Sequence, residues 1–290
     1  MTRYEMAWHN HRLSLGKHTL IMGILNITPD SFSDGGRFED AGRAIRQAKQ
    51  LVAAGADILD IGGESSRPFS DPVPEAMEIE RTIPVIEALA GEIEVPISID
   101  TTKAAVAEAA IAAGAAIVND ISALRIDPKM AAVAAAAEVP VVLMHMQGTP
   151  KTMQKSPVYG DVTEEVIAFL EKAAKEAEAQ GIARDMIIVD PGIGFGKTVD
   201  HNLTLIRRLN QFHRLDRPVL VGPSRKAFIR KILAGGGDDT IVADDPSVIA
   251  ATQAAITASV LGGAHIIRVH DVAEACTTLA LADAISNAPA

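Results

Sequence analysis

Polar and charged side chains recur in this sequence at one kind of position, the point where a short apolar run ends. They end or directly follow eight such runs, and in chain order they are Asn26, Asp60, Glu64, Arg67, Asp100, Asn119, Asp120, His145, Asp190, Ser224, Arg225, Lys226, Arg268 and His270. Asp and Asn often cap helices or fix turns, so each residue taken alone has an ordinary structural explanation. Repetition at eight runs instead indicates one shared functional site.

These residues divide into two groups with different chemistry. One group consists of donors that could bind an anion together, and arginine in particular suits bidentate contacts with phosphate. Its members are Asn26, Arg67, Arg268 and His270. The other group mixes donors and acceptors, which suits a flat heterocycle whose amidine-like edge donates to carboxylates. Its members are Asp100, Asn119, Asp190 and Lys226. Burying two carboxylates without compensation would be costly, so a ligand or the lysine should neutralise them.

The runs that carry these residues alternate with longer, alanine-rich segments of helical character. Continuous aliphatic runs, each followed by a helix, are typical of a parallel sheet that is covered on both faces. Eight such units close a (β/α)8 TIM barrel, and a length of 290 residues suits that fold. The eight runs are TLIMGILNI, DILDIGG, VPISID, AIVNDI, PVVLMHM, MIIVDPG, PVLVGPS and HIIRVHDV.

An open, doubly wound sheet is the alternative α/β arrangement. That fold would normally carry a phosphate-binding glycine fingerprint after its first strand, where this sequence reads NITPDSFSDGG. The pattern therefore favours a single (β/α)8 barrel domain over residues 1–290, with its core at about 19–286. We expect a short hairpin before the first barrel strand, with its turn within RLSLGKH at 12–18, at the bottom of the barrel.

One further segment, GFGKT at 194–198, resembles the end of a nucleotide-binding P-loop. That motif requires glycine where Pro191 stands, so a nucleotide site is disfavoured. We expect the glycines of this segment to let the backbone approach a ligand closely or enter a helix tightly.

The overall composition excludes several classes of protein. With 48% hydrophobic residues the chain can bury a large core. A formal net charge of -10, without a basic run, argues against nucleic-acid binding. No apolar stretch approaches the roughly 18 residues of a membrane span, and no apolar signal-peptide core is visible. The single cysteine, Cys276, excludes an internal disulfide, so we expect a cytoplasmic protein.

Taken in order, the segments resemble those of the dihydropteroate synthase family over nearly the full chain. GILNITPDSFSDGG at 23–36 and DIGGESSRP at 60–68 are similar to its two loop signatures. SIDT, IVNDIS, LMHMQGTPKTM, VDPGIGFGKT, VGPSRKAFI and IIRVHDV follow in the order and spacing of that family. The sequence departs from the family at Ser66, where threonine is frequent, and in DDTIVADDPSVIAATQAA, which lacks a common Glu-Arg-Leu element.

The resemblance implies a TIM barrel and a Mg2+-assisted transferase reaction of folate biosynthesis. In that reaction 4-aminobenzoate displaces diphosphate from 6-hydroxymethyl-7,8-dihydropterin diphosphate. The residues with implied catalytic roles are Asp100, Asp190 and Lys226, and these three with Asn119 are implied to bind the pterin. Asn26 is implied to bind Mg2+.

The remaining implied substrate contacts concern the diphosphate and the 4-aminobenzoate. The residues implied to hold the diphosphate are Arg67, Arg268 and His270. Those implied to lie near the 4-aminobenzoate are Phe32, Ser66, Pro68 and Ser224. Phe195 is implied to form a wall on the pterin side or on the 4-aminobenzoate side. Met144 and Gly222 complete the implied substrate-binding set.

Two other functions fit a pterin-binding barrel: a methyltetrahydrofolate-dependent methyltransferase and a paralogue that binds pterin without turnover. The first would not need the SRK segment, the RVHDV ending or the first loop signature, all of which are present. The second should have lost a diphosphate-binding or loop residue, yet these residues are intact. Family resemblance also implies a homodimer, to which the apolar segments ASVLGG and ALADAIS could contribute.

Overall fold

A computed structural model describes residues 2–27, 37–65, 70–235 and 241–289, without the side chains of 37–39. Some residues that the sequence assigns to the site lie outside these ranges. They are Phe32, Ser66, Arg67 and Pro68.

The chain begins with the predicted antiparallel hairpin, formed by β1 (Tyr4–Trp8) and β2 (His11–Leu15). The expected position of its turn is wrong: the turn is the two residues 9 and 10, where His9 has a φ of 45°, and the residues RLSL lie in β2. Leucines that alternate with polar residues along RLSL bury one face of the strand, which explains why this segment is extended. The Trp8 Nε1–H donates to the Ala116 carbonyl at 2.9 Å, just before a barrel strand begins, so the hairpin covers the bottom of the barrel.

Eight parallel strands form the barrel and confirm the predicted (β/α)8 fold. Each strand lies within one predicted aliphatic run, because β-branched and other aliphatic residues favour extended backbone that is buried on both faces. The strands are β3 Leu20–Asn26, β4 Ile58–Gly62, β5 Ile97–Asp100, β6 Ile117–Asp120, β7 Val141–Met144, β8 Ile187–Asp190, β9 Leu220–Val221 and β10 Ile266–Val269.

The barrel closes between β8 and β9. Neighbouring strands pair in the order β8-β7-β6-β5-β4-β3-β10-β9. Val189 and Val219 form a parallel bridge between the two ends of this series, and the Val189 amide donates to the Pro218 carbonyl at 3.0 Å. All eight strands therefore point their carboxyl ends at one rim, opposite the hairpin.

Helices follow the strands and cover the outside of the barrel. Several begin at the polar caps that such helices favour: the Asp161 carboxylate, for example, accepts from the amides of Thr163 and Glu164. The helices are α1 Arg37–Ala53, α2 Glu75–Ala90, α3 Ala104–Ala112, α4 Met130–Ala136, α5 Val162–Ala179, α6 Val199–Arg207, α7 Ala227–Leu233, α8 Pro246–Leu261 and α9 Val272–Ser286. Among the residues that the structure describes, no helix combines the length and apolar character needed to cross a membrane.

Candidate active site

A pocket lies at the carboxyl ends of the barrel strands, the rim on which (β/α)8 enzymes place their active sites. Most of its lining residues belong to the substrate-binding set implied by the sequence: Asn119, Met144, Asp190, Phe195, Gly222, Lys226 and Arg268. Ile121 and Ile193, which the sequence did not single out, complete the wall. A few polar groups thus converge on a partly apolar pocket, the arrangement typical of small-molecule sites.

Arg268, on β10, is the centre of a buried ion-pair network. Its Nε donates to Asp60 Oδ2 at 2.5 Å, and its Nη2 donates to Asp100 Oδ2 at 2.6 Å. The Asn119 side chain donates through Nδ2 to the same Asp60 oxygen at 3.0 Å. The planar donor fork of arginine suits two carboxylates at once. The arginine expected to hold diphosphate is therefore shared between two carboxylates in this structure.

Asp60 is a member of this network to which the sequence assigned no role. It lies inside β4 with 0% exposure, flanked by Leu59 and Ile61. A lone acid within such an apolar strand was the available signal, because a buried carboxylate needs a partner. Within the described part of the chain its second oxygen, Oδ1, has no hydrogen-bond partner.

Burial controls the ionisation of the two predicted catalytic carboxyls. It raises the pKa of Asp100 to about 7, although the Arg268 charge opposes the shift. It also raises the pKa of Asp190 to about 6, although the Gly192 amide donates to Asp190 Oδ1 at 2.7 Å. Both carboxyls therefore titrate near neutral pH, and a ligand that donates hydrogen bonds would favour their anionic forms.

Lys226 is half-buried and packs against the aromatic wall of the pocket. Its Nζ lies 4.0 Å from the centroid of the Phe195 ring, a cation–π contact. Burial, with repulsion by Arg268, lowers the pKa of Lys226 to about 8, against the attraction of the nearby carboxylates. A Cβ at Gly194, whose φ is +86°, would lie 2.8 Å from the Lys226 Cδ. The close backbone approach expected of this segment is thus made to the stem of Lys226.

Ser224 and His270 lie two residues beyond the pocket residues Gly222 and Arg268, and they contact each other. The Ser224 Oγ and the His270 Nδ1 are 3.0 Å apart, and the His270 amide donates to the same Oγ at 3.2 Å. Burial, with the neighbouring cations, lowers the pKa of His270 to about 3. The imidazole is therefore neutral at pH 7 and can offer an N–H, but no positive charge, to an anion.

Asn26 ends β3 beside Gly62, which ends β4. A Cβ at Gly62 would lie 3.5 Å from the Asp100 Cβ and 3.8 Å from the Asn26 Oδ1, so this amide oxygen and Asp100 border the same space. Within the described ranges, no cluster of three or more His, Cys, Asp or Glu side chains could hold a metal ion. A cation at Asn26 would need most of its ligands from substrate and water, which is how Mg2+ is commonly bound beside phosphates.

Four other residues at strand ends are engaged by contacts with neighbouring protein groups and do not line the pocket. Asp120 accepts from the amides of its own loop, at Ser122 and Leu124, and Glu64 pairs with Lys103. The partner of Arg225 is Asp271. At the end of β7, His145 packs edge-on to Phe169 of α5, with ring centroids 4.8 Å apart. For Asp120 the ordinary structural explanation of strand-end acids is the correct one.

A second residue missed by the sequence is Lys197, in the segment 191–198 that follows β8. Its Nζ lies 2.9 Å from the Phe195 carbonyl oxygen and 3.0 Å from the His145 Nδ1. The only signal was a lysine two residues after an aromatic residue in a glycine-rich segment, which does not predict burial.

The comparison with known proteins agrees with this geometry. The family model of pterin binding enzymes matches residues 22–270. The dihydropteroate synthase of Synechocystis is 48% identical over 270 residues, which cover 93% of this chain and 91% of that protein.

Two solved structures give the same result. The crystal structure of the Yersinia pestis dihydropteroate synthase with a sulfonamide drug complex matches with a TM-score of 0.87 and 40% identity, over 95% of this chain and 98% of that one. The Xanthomonas albilineans dihydropteroate synthase with 4-aminobenzoic acid also has a TM-score of 0.87, at 41% identity over 96% of each chain. The chain therefore belongs to the pterin-binding enzyme family and, within it, to the dihydropteroate synthases.

Proposed function

We infer that this enzyme joins 6-hydroxymethyl-7,8-dihydropterin diphosphate to 4-aminobenzoate and releases 7,8-dihydropteroate and diphosphate. The observation that carries this function is the buried polar set around one pocket at the barrel rim, in a chain whose relatives share the activity. It combines two carboxyls of raised pKa, Asp100 and Asp190, with the cations of Lys226 and Arg268. This combination offers partners to both ends of a pterin diphosphate.

The pterin ring would be held by complementary hydrogen bonds. Its amidine edge presents N–H donors, which the Asp190 carboxylate can accept, and its ring carbonyl can accept from the Lys226 ammonium. The Asn119 nitrogen faces Asp60, so the oxygen of this amide is turned away from that carboxylate. Ile121 and Met144 supply apolar contacts for a flat ring.

The diphosphate would be bound at the Arg268 end of the pocket. The Arg268 guanidinium carries five N–H donors, of which one donates to Asp60 and one to Asp100, so the others could bind the diphosphate while both of these contacts persist. We propose that Asn26 contributes one oxygen ligand to a Mg2+ ion carried mainly by the diphosphate. When bound, Mg2+ would neutralise charge on the leaving group.

Neither substrate requires an activated side-chain nucleophile. The attacking group is a neutral aromatic amine, so catalysis can depend on its orientation and on stabilisation of the leaving diphosphate. A dihydropterin can delocalise positive charge from its exocyclic methylene as diphosphate departs. The carboxylates of Asp100 and Asp190 would stabilise that charge. The proton lost by the amine is released to solvent or to the departing diphosphate.

The function is tested by turnover of the purified enzyme with both substrates, followed by mass detection of dihydropteroate. We expect product only when both substrates and Mg2+ are present, and loss of turnover when a chelator is added. Product formed at the same rate in the chelator would contradict the role of Mg2+ but not the synthase function. No product under any of these conditions would contradict the function itself.

We further propose that sulfonamides compete with 4-aminobenzoate at this site. The Yersinia pestis relative was solved in a sulfonamide drug complex, and 4-aminobenzenesulfonamides share the aniline group of 4-aminobenzoate. We expect sulfamethoxazole to raise the KM for 4-aminobenzoate without lowering kcat. A lowered kcat at saturating 4-aminobenzoate would contradict competition.

We also propose a cytoplasmic homodimer. The single cysteine, Cys276, forms no disulfide, which suits a reducing compartment. Leu281 and Ile285, four residues apart on α9, are 65% and 52% exposed, and Leu261 at the end of α8 is 51% exposed. Light scattering should give twice the mass of one chain, and Leu281→Glu should shift it to that of a monomer. A monomeric wild type would contradict the proposal.

A further inference from the structure

A buried lysine lies behind the wall of the pocket, outside the pterin and diphosphate contacts proposed above. Lys197 is 3% exposed, and its Nζ contacts the Phe195 carbonyl at 2.9 Å, the His145 Nδ1 at 3.0 Å and the His145 carbonyl at 3.4 Å. All three partners are neutral acceptors, because burial and nearby cations lower the pKa of His145 to about 2. Burial lowers the pKa of Lys197 to about 7, although Asp190 attracts its charge, and among the described residues no carboxylate accepts a hydrogen bond from its Nζ. Holding the charged form of this side chain in the interior costs stability.

The loop that it holds carries the aromatic wall of the pocket. Three successive carbonyls each accept from a side chain: Gly194 from Gln154 at 2.7 Å, Phe195 from Lys197, and Gly196 from Tyr159 at 2.8 Å. The glycines at 192, 194 and 196 all have positive φ. A glycine-rich segment loses much conformational entropy when it is ordered, so these bonds are needed to fix one conformation.

Fixing this loop also fixes the surroundings of Lys226. The Lys226 ammonium lies 4.0 Å from the Phe195 ring centroid, and its stem packs against Gly194. By contrast, Asp100, Asn119 and Asp190 lie on strand ends and are positioned by the barrel, although the Asp190 carboxylate also accepts from the Gly192 amide at the start of the loop. A displaced loop would therefore leave most of the pterin contacts intact and alter the aromatic side of the pocket.

We propose that Lys197 is a positioning residue for the synthase reaction, which with His145 fixes Phe195 as the wall against which the 4-aminobenzoate amine is oriented. The proposal rests on the synthase function inferred above. Lys197 donates to the loop from within the wall and does not touch substrate. Its effect is on the geometry of attack, where a displacement of about 1 Å can cost on the order of 100-fold in rate.

The test compares Lys197→Met with Lys172→Met, which makes the same chemical change at an exposed lysine of α5. Melting temperature, the Kd for 6-hydroxymethylpterin, and kcat and KM for 4-aminobenzoate are measured for both. We expect Lys197→Met to melt at the same temperature or higher, because a buried unpaired cation is removed. Its Kd for the pterin should change less than about threefold, while kcat/KM for 4-aminobenzoate should fall at least about tenfold.

Each alternative outcome is decisive. An unchanged kcat/KM for 4-aminobenzoate would overturn the proposal, as would a parallel loss of pterin affinity and melting temperature, which indicates a general structural role. If Lys197→Met does not fold, Tyr159→Phe removes the neighbouring bond to the Gly196 carbonyl and should give the same selective loss, several-fold in size. No turnover by the wild type and Lys172→Met would contradict the synthase function instead, and this proposal with it.

Discussion

The proposed site of this enzyme consists largely of charged side chains that the barrel holds mostly out of water. The carboxylates of Asp60 and Asp100 share the Arg268 guanidinium, and Asp190 lies near Lys226. Such a cluster costs folding free energy, because each charge loses its hydration and recovers only part of it from its partners. A substrate that donates hydrogen bonds to the carboxylates and accepts them from the cations would replace the lost hydration. If the proposed site binds its substrate in this way, part of the binding free energy offsets a loss of folding stability.

This trade predicts that Asp100→Asn stabilises the protein while it removes activity. The folded-state pKa of Asp100 is raised from 3.8 to about 7, so the wild type loses stability as the pH rises through this interval. We expect the unfolding free energy of the variant, relative to that of the wild type, to increase by about 1–3 kcal/mol between pH 5 and pH 7. Above pH 7 this difference should stay constant. Urea denaturation at several pH values measures the difference.

Asp127→Asn provides the matched control, because the folded-state pKa of Asp127 is lowered whereas that of Asp100 is raised. The amides of Lys129 and Ala104 donate to this half-buried carboxylate and lower its pKa. The ionised Asp127 carboxylate contributes to stability at neutral pH, and this contribution is lost as the pH falls through its folded-state pKa. Asp127→Asn should therefore be less stable than the wild type at pH 7. Equal pH profiles for Asp100→Asn and the wild type would show that burial does not control the Asp100 carboxyl.

At the scale of elements, the two ends of the barrel have separate tasks. The loops at the carboxyl ends of the strands carry the site, whereas the β1–β2 hairpin closes the opposite end. The hairpin is attached through Trp8, which is 5% exposed and donates to Ala116. Contacts at that end stabilise the barrel without touching the pocket.

Trp8→Ala should therefore destabilise the enzyme and leave its catalysis intact. Loss of a buried tryptophan typically costs about 3–5 kcal/mol, and Trp8→Phe, which loses the hydrogen bond but keeps most of the packing, should cost about 1–2 kcal/mol. Denaturation is followed by circular dichroism, because Trp8 is the only tryptophan. Below the transition, both variants should keep KM and kcat within about twofold. A selective rise in KM would show that the hairpin is coupled to the site.

At the scale of the whole molecule, the barrel has one weak seam. β9 has two residues and pairs with β10 at two positions, and it meets β8 through the single bridge between Val189 and Val219. β4, by contrast, pairs with β3 at five positions and with β5 at four. Gly222, Ser224 and Lys226 follow β9 directly, so this part of the site depends on the least paired strand of the barrel.

Hydrogen exchange should reveal this seam. We expect amides at 219–222 to exchange faster than those at 58–62, because a short strand with few ladder bonds opens at lower free energy. Addition of a pterin ligand should slow exchange at 219–222 more than at 58–62, since the ligand contacts Gly222 and Lys226 in the proposed site. Equal rates in the two segments would contradict a weak seam.

The sequence predicted the barrel well because the signal is local. Each strand is a run of aliphatic residues, and Asp100, Asn119 and Asp190 could be placed at one rim from strand order alone. The hairpin turn lies before RLSLGKH and not within it, because Gly16, with its φ of +88°, marks the exit from the hairpin.

Hydrogen bonds and ion pairs between residues that are far apart in the sequence could not be predicted in the same way. Arg268 and Asp60 are 208 positions apart, and only the closed barrel brings them together. Lys197 was overlooked because lysine is almost always exposed, and its burial depends on neutral acceptors from the loops after β7 and β8.

The central claim is that this buried cluster is where a pterin diphosphate reacts with 4-aminobenzoate. The most direct test measures diphosphate release and dihydropteroate formation together for the wild type, Asp100→Asn, Arg268→Ala and the exposed control Arg12→Ala. We expect one diphosphate per dihydropteroate in the wild type and in the control, and losses of at least about 100-fold in kcat/KM in both site variants. Full activity in Asp100→Asn or Arg268→Ala would place the reaction elsewhere and contradict the claim.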